Sequence, residues 1–143
     1  MSAISNTISA TTDVIIAACS QPSLGIPDDT PAGVYDVIAF PNQLQIEGIL
    51  VYVNITHTYI GDLIVEVTSP GGTTVRLHDM SGGWNANIIG TYGLDLPVDG
   101  PGSLDDFIDE LSLGDWTLWV SDNWGADVGT LNEWCVEVWG VVP

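Results

Sequence analysis

From residue 13 onward, apolar and polar residues alternate with period two along most of the chain. Ile49, Val51, Val53 and Ile55 interleave with Leu50, Tyr52, Asn54 and Thr56, and Leu63, Val65 and Val67 interleave with Ile64, Glu66 and Thr68. Successive side chains of a strand point to opposite faces, so each run predicts a strand with one face in a core. Tyr59-Ile60-Gly61-Asp62 turns the chain between the two runs, which makes them a hairpin or a pair that crosses between sheets. A third strand, Thr73 to His78, follows the turn Ser69-Pro70-Gly71-Gly72. Trp116, Leu118 and Val120 mark another strand, Trp134, Val136 and Val138 a last one, and the loop Asp122 to Gly129 joins them. Between Asp79 and Gly114 the chain is rich in Gly, Asn and Asp, carries Pro97 and Pro101, and has one short helix-like stretch, Leu104 to Leu111. That segment reads as the long irregular crossover a jelly roll makes between its sheets. The prediction is an all-β fold, an antiparallel jelly-roll-like β-sandwich. It forms a single domain over residues 13–143, preceded by a Ser-, Thr- and Ala-rich linker or leading segment over residues 1–12.

Charge narrows what such a sandwich can bind. Nineteen acidic residues face one basic residue, Arg76, and the formal net charge is −18. Phosphate contacts need clustered Lys and Arg, so nucleic acid is excluded as a partner, and an anionic bilayer is repelled for the same reason. No run approaches the roughly 18 apolar residues of a membrane span. With 45% hydrophobic residues, the 143-residue chain has enough apolar surface for one core, which excludes the disordered class. Cys19 and Cys135 sit near opposite ends, and an even count in an acidic chain of this kind predicts a disulfide, the alternative being two buried thiols. A secreted or extracellular setting follows from that reading. The N-terminus lacks a basic region and a long apolar run, so the chain is expected to start after a signal segment or to derive from a longer precursor.

Fourteen of the nineteen acids are Asp, and many lie beside Gly, the pattern of turn residues. Solubility in an extracellular medium accounts for them equally well as specific calcium sites do. Calcium takes six to eight oxygen ligands from flexible loops, which this chain supplies. Asp122 to Glu133 has Asp first and Glu last over twelve residues, like an EF-hand loop. Trp124 and Ala126 nevertheless occupy its third and fifth positions, and strands flank it. The expectation is instead that Asp122 and Asp127 hold one calcium ion and that Asp28, Asp29 and Asp62 supply a second. Nothing reads as a catalytic centre. His57 and His78 lack a nucleophile elbow, and there is no His-Glu-x-x-His or Cys-x-x-Cys. His57, between two threonines at a strand end, reads as structural. Trp116 and Trp134 fall on core faces. Trp119 and Trp139 fall on the opposite ones and, with Trp84 and Trp124, are candidates for contacting a partner.

Three segments in register resemble the P domain that follows the catalytic domain in subtilisin-like proprotein convertases and many bacterial secreted proteases. Val53-Asn54-Ile55-Thr56-His57-Thr58-Tyr59-Ile60-Gly61-Asp62-Leu63 is similar to that family's V-x-I-T-H-T-Y-x-G-D-L. Ser69-Pro70-Gly71-Gly72-Thr73 with Val75-Arg76-Leu77 resembles its S-P-x-G-T-x-V-x-L hairpin. Gly114-Asp115-Trp116-Thr117-Leu118-Trp119-Val120-Ser121-Asp122 with Gly129-Thr130-Leu131-Asn132-Glu133-Trp134 resembles G-x-W-T-L-x-V-x-D followed by G-x-L-x-x-W. Ile60 stands where many members carry Arg before Gly-Asp, so an adhesion role built on Arg-Gly-Asp does not transfer. The resemblance implies a non-catalytic accessory domain of a secreted hydrolase. Its partner would be the catalytic domain of a serine or metalloprotease, which it would help to fold or supply with substrate. The competing reading is an extracellular module that binds carbohydrate or matrix polymer through exposed tryptophans.

Overall fold

The computed structural model describes residues 13–143, and the leading segment expected over residues 1–12 lies outside them. Nine strands are present: β1 (Val14–Ser20), β2 (Leu24–Ile26), β3 (Thr30–Phe40), β4 (Gln45–His57), β5 (Leu63–Thr68), β6 (Thr74–Asp79), β7 (Ile88–Tyr92), β8 (Gly114–Asp122) and β9 (Gly129–Val141). Every strand pair is antiparallel. One sheet has the order β1-β9-β4-β7, with β2 also on β9, and the other has the order β3-β8-β5-β6. From β3 to β9 the chain passes repeatedly from one sheet to the other, and that gives the jelly roll. The turn after β4 therefore crosses the sandwich, and β5 with β6 forms the hairpin.

The alternation read from the sequence explains why these strands hold together. Val51, Val53 and Ile55 of β4 and Trp134, Val136 and Val138 of β9 face Leu63, Val65 and Val67 of β5 and Trp116, Leu118 and Val120 of β8. All twelve are fully buried. Each such side chain contributes roughly 1.5–3 kcal/mol against leaving it in water. A slip of one residue would turn the whole set outward, so burial also fixes the register in which Val51 meets Val136 and Tyr92. Trp134 adds a polar tie between the sheets, its indole N–H donating to Asp36 Oδ2 on β3 at 2.8 Å.

Cys19 and Cys135 are direct partners in the β1–β9 register and are disulfide-bonded, joining positions 116 residues apart. The bond fastens the edge strand β1 to the centre of its sheet. Two expectations for the crossover need revision. It contains a strand, β7, whose Ile88, Gly90 and Tyr92 are buried, and the glycine and asparagine around it dilute the periodic signal. The helix-like stretch is a single 3-10 turn, Leu104–Phe107, closed by a capping box in which Ser103 Oγ accepts the Asp105 N–H and Asp106 accepts the Ser103 N–H.

Candidate functional site

Four connections meet at the end of the sandwich where β4 stops. They are the turn before β3, residues 58–62, residues 80–87 and the loop between β8 and β9. Strand pairing brings them together: Thr30 and Leu63 both lie opposite Asp122, and His57 lies opposite Gly129. Carboxylates far apart in sequence thereby become neighbours.

Asp122 is fully buried. Its Oδ2 lies 2.8 Å from His57 Nε2, and its Oδ1 accepts the Trp124 N–H at 3.2 Å. His57 Nδ1 accepts the Tyr59 N–H at 3.1 Å, so its lone pair is used and the ring proton sits on Nε2, from which it is donated to Asp122. Neither ring nitrogen is left for a metal ion, and His57 acts by positioning Asp122.

Asp62 is 5% exposed, and its carboxylate, which accepts no hydrogen bond from any described residue, keeps its oxygens in contact with solvent. Its backbone carbonyl is well served, accepting the Asn123 N–H at 2.9 Å and Asn123 Nδ2 at 3.1 Å. Ligand-type atoms of His57, Asp62 and Asp122 lie within 4.8 Å of one another. Burial raises the Asp62 carboxyl above the ordinary aspartate range, and the charges of Asp122 and Asp127, and more weakly Asp28, push the same way against an opposing effect of His57.

The remaining predicted ligands gather around this pair. Asp127 accepts the Thr58 hydroxyl, Asp28 Oδ2 accepts the Ala126 N–H at 3.2 Å, and a side chain placed at Gly125 would meet Asp29 Oδ2 at 4.0 Å. The sequence suggested two separate groups, Asp122 with Asp127 and Asp28 with Asp29 and Asp62, whereas the fold draws them to one place. Asp62 and Asp127 open on a cavity of about 400 Å³ walled by Tyr59, Met80 and Trp124. Tyr59 was visible only as a motif and turn residue, and Met80 carried no signal in the sequence, because an isolated Met in a loop matches no motif. The groups able to hold a metal are carboxylate oxygens, the hard donors that suit calcium, with histidine withheld by its own hydrogen bonds.

The model of the proprotein convertase P-domain matches residues 46–138. The chain belongs to that family. Among curated proteins, this P domain is 39% identical over 82 residues to leupeptin-inactivating enzyme 1 of Streptomyces exfoliatus, covering 57% of this chain and 16% of that protein. It is 39% identical over 104 residues to a calcium-dependent protease of a Nostoc species, covering 71% of this chain and 15% of that protein. The chain thus spans about one-sixth of the length of these relatives. Among solved structures, the serine protease of Aeromonas sobria in complex with its chaperone matches with a TM-score of 0.70 at 17% identity, over 90% of this chain and 27% of that one. At that identity the likeness concerns the fold.

In this P domain Ile60 packs on Gly82 and donates its N–H to Asn85 O at 2.9 Å, which pins the 80–87 connection over the turn. The four candidate tryptophans separate into two kinds. Trp119 donates to Ala32 O at 2.8 Å and covers Gly33, where φ is +69° and a Cβ would come within 2.6 Å of the indole nitrogen. Trp139 lies on Gly48, where a Cβ would sit 1.9 Å from the ring. Each lies flat on the outer face of a different sheet. Trp84 and Trp124 are 82% and 62% exposed, and both belong to the connections around the acidic cluster.

Proposed function

We propose that this P domain is a non-catalytic accessory domain of a secreted protease and that calcium bound at its acidic end stabilises it. The observation that carries the calcium part is the Asp62 carboxylate, which opens on the cavity, accepts no hydrogen bond among the described residues and lies beside Asp122 and Asp127. Carboxylates held this close repel one another, and an ion shared among Asp28, Asp62, Asp122 and Asp127 would offset that repulsion. A protease partner is supported by family membership and by the names of the relatives, in which the matched region is a small part of a much larger chain. The disulfide supports an extracellular setting. The accessory role is tested by deleting residues 13–143 from the full reading frame that encodes them. Loss of soluble, active protease, with no peptide hydrolysis by the isolated domain, is the expected result. Normal folding of the shortened protein, or turnover by the isolated domain, would contradict it.

The exposure of Trp84 and Trp124 favours a second reading, binding of an extracellular carbohydrate or matrix polymer. Saturable quenching of tryptophan fluorescence by soluble glycans would support it, and no change would discard it.

A further inference from the structure

We propose that the cavity between Tyr59, Met80 and Trp124 also receives the side chain of a lysine or arginine from a partner protein, which takes the place of calcium there. This rests on reading the acidic end as a cation site and adds the kind of partner that site fits. The Asp62 carboxylate accepts no hydrogen bond from the described residues, and the chain offers no free cationic side chain to pair with it. Its sequence has no lysine, and its one arginine, Arg76, is committed to Glu66 at 2.8 Å and Asp79 at 3.1 Å on the β5–β6 hairpin. A side-chain ammonium or guanidinium that pairs with Asp62 would therefore come from another protein.

Cavity size and lining separate an organic cation from a bare ion. At about 400 Å³ the space equals roughly a dozen water molecules by their share of liquid volume, far more than one ion needs. Tyr59, Met80 and Trp124 line it together with Gly61, Gly83, Gly125 and the two aspartates. Trp124 is 62%, Tyr59 40% and Met80 38% exposed, so an indole, a phenol ring and a thioether face the opening. Such an open pocket suits the methylene stem of Lys or Arg, with aromatic faces that attract the cation and Asp62 and Asp127 to receive its N–H groups. A net charge of −18 draws basic protein surfaces toward the domain.

The test follows tryptophan fluorescence of the domain in EGTA as Nα-acetyl-arginine amide or Nα-acetyl-lysine amide is added, with Nα-acetyl-glutamine amide as the neutral control. The expected result is a saturable change with the two cations only, lost when Trp124 is replaced in Trp124→Phe. Asp62→Asn should weaken binding about tenfold or more, the loss expected for a charge-assisted contact. Asp127→Asn, at the cavity rim, serves as the second variant should Asp62→Asn fold poorly. Calcium should move the titration to higher concentrations. An equal response to the glutamine amide, unchanged affinity in both Asp variants, or indifference to calcium would overturn the proposal. Thermal unfolding with calcium alone keeps the two readings apart. Stabilisation by calcium without arginine or lysine binding removes the side-chain pocket and leaves the ion site, and the reverse result does the opposite.

Discussion

Glu110 and Asp62, at opposite ends of the sandwich, meet opposite surroundings. Where β4 begins, Glu110 is met by donors on both oxygens, the Ser69 hydroxyl at 2.7 Å and the Thr73 hydroxyl. Beside it Ser112 accepts the Leu44 N–H at 2.8 Å and donates to Asn42 O at 2.6 Å, while the Trp116 indole N–H reaches Ser112 O at 2.9 Å. Where β4 ends, Asp62 is buried among like charges and finds no donor among the described residues. A carboxylate ringed by hydroxyls serves the fold by itself. One that opens on a cavity beside like charges is free to take up a cation, and this contrast underlies the proposal of a structural role for the first end and a binding role for the second.

Mutations should separate these roles, beginning with the largest effect. Trp116→Ala removes a fully buried ring that packs edge-on against Phe107 at 5.3 Å and should cost about 3–5 kcal/mol in chemical denaturation while leaving any calcium response in place. A loss below about 1 kcal/mol would show that the closed end does not depend on this packing. Replacing both cysteines, Cys19→Ser with Cys135→Ser, should cost roughly 2–4 kcal/mol by freeing the two ends of the chain in the unfolded state, again without altering the cation site.

Smaller effects carry the comparison itself. Glu110→Gln weakens two charge-assisted hydrogen bonds and should lower stability by about 1–2 kcal/mol. Asp62→Asn in EGTA should act in the other direction and raise stability, because it removes a buried charge repelled by Asp122 and Asp127. If both variants were destabilised alike in EGTA, the distinction between the ends would fail. Protonation should report the same sign. Because the folded state holds the Asp62 proton more tightly than the unfolded chain, the folded state binds more protons there. That contribution to stability is fully present below the unfolded pKa and is lost as pH rises through the folded one. Denaturation in EGTA should therefore show stability rising as pH falls from neutral toward the ordinary aspartate range, with a shallower slope in Asp62→Asn.

Much of this was legible in the chain itself, for physical reasons. Strands buried on one face alternate, so β4, β5, β8 and β9 stand out, and the core tryptophans Trp116 and Trp134 fall on the expected faces. β7 does not stand out, because Gly90 occupies one of its three inward positions and leaves too few apolar residues for a period. At the acidic end, the Asp residues are visible as turn residues, but their grouping is a consequence of strand register. Only the pairing of Leu63 and Thr30 with Asp122 brings the first two turns onto the last loop. The role of His57 was hidden for the same reason, since its partner Asp122 lies 65 positions away.

Thermal unfolding of the native domain and of Asp62→Asn, each in EGTA and in increasing calcium, tests the open end most directly. The native domain should gain stability steadily with the logarithm of calcium concentration, by about 2.7 kcal/mol at a hundredfold excess over the dissociation constant, and the variant should gain little. Identical unfolding of the native domain in EGTA and in millimolar calcium would contradict the account.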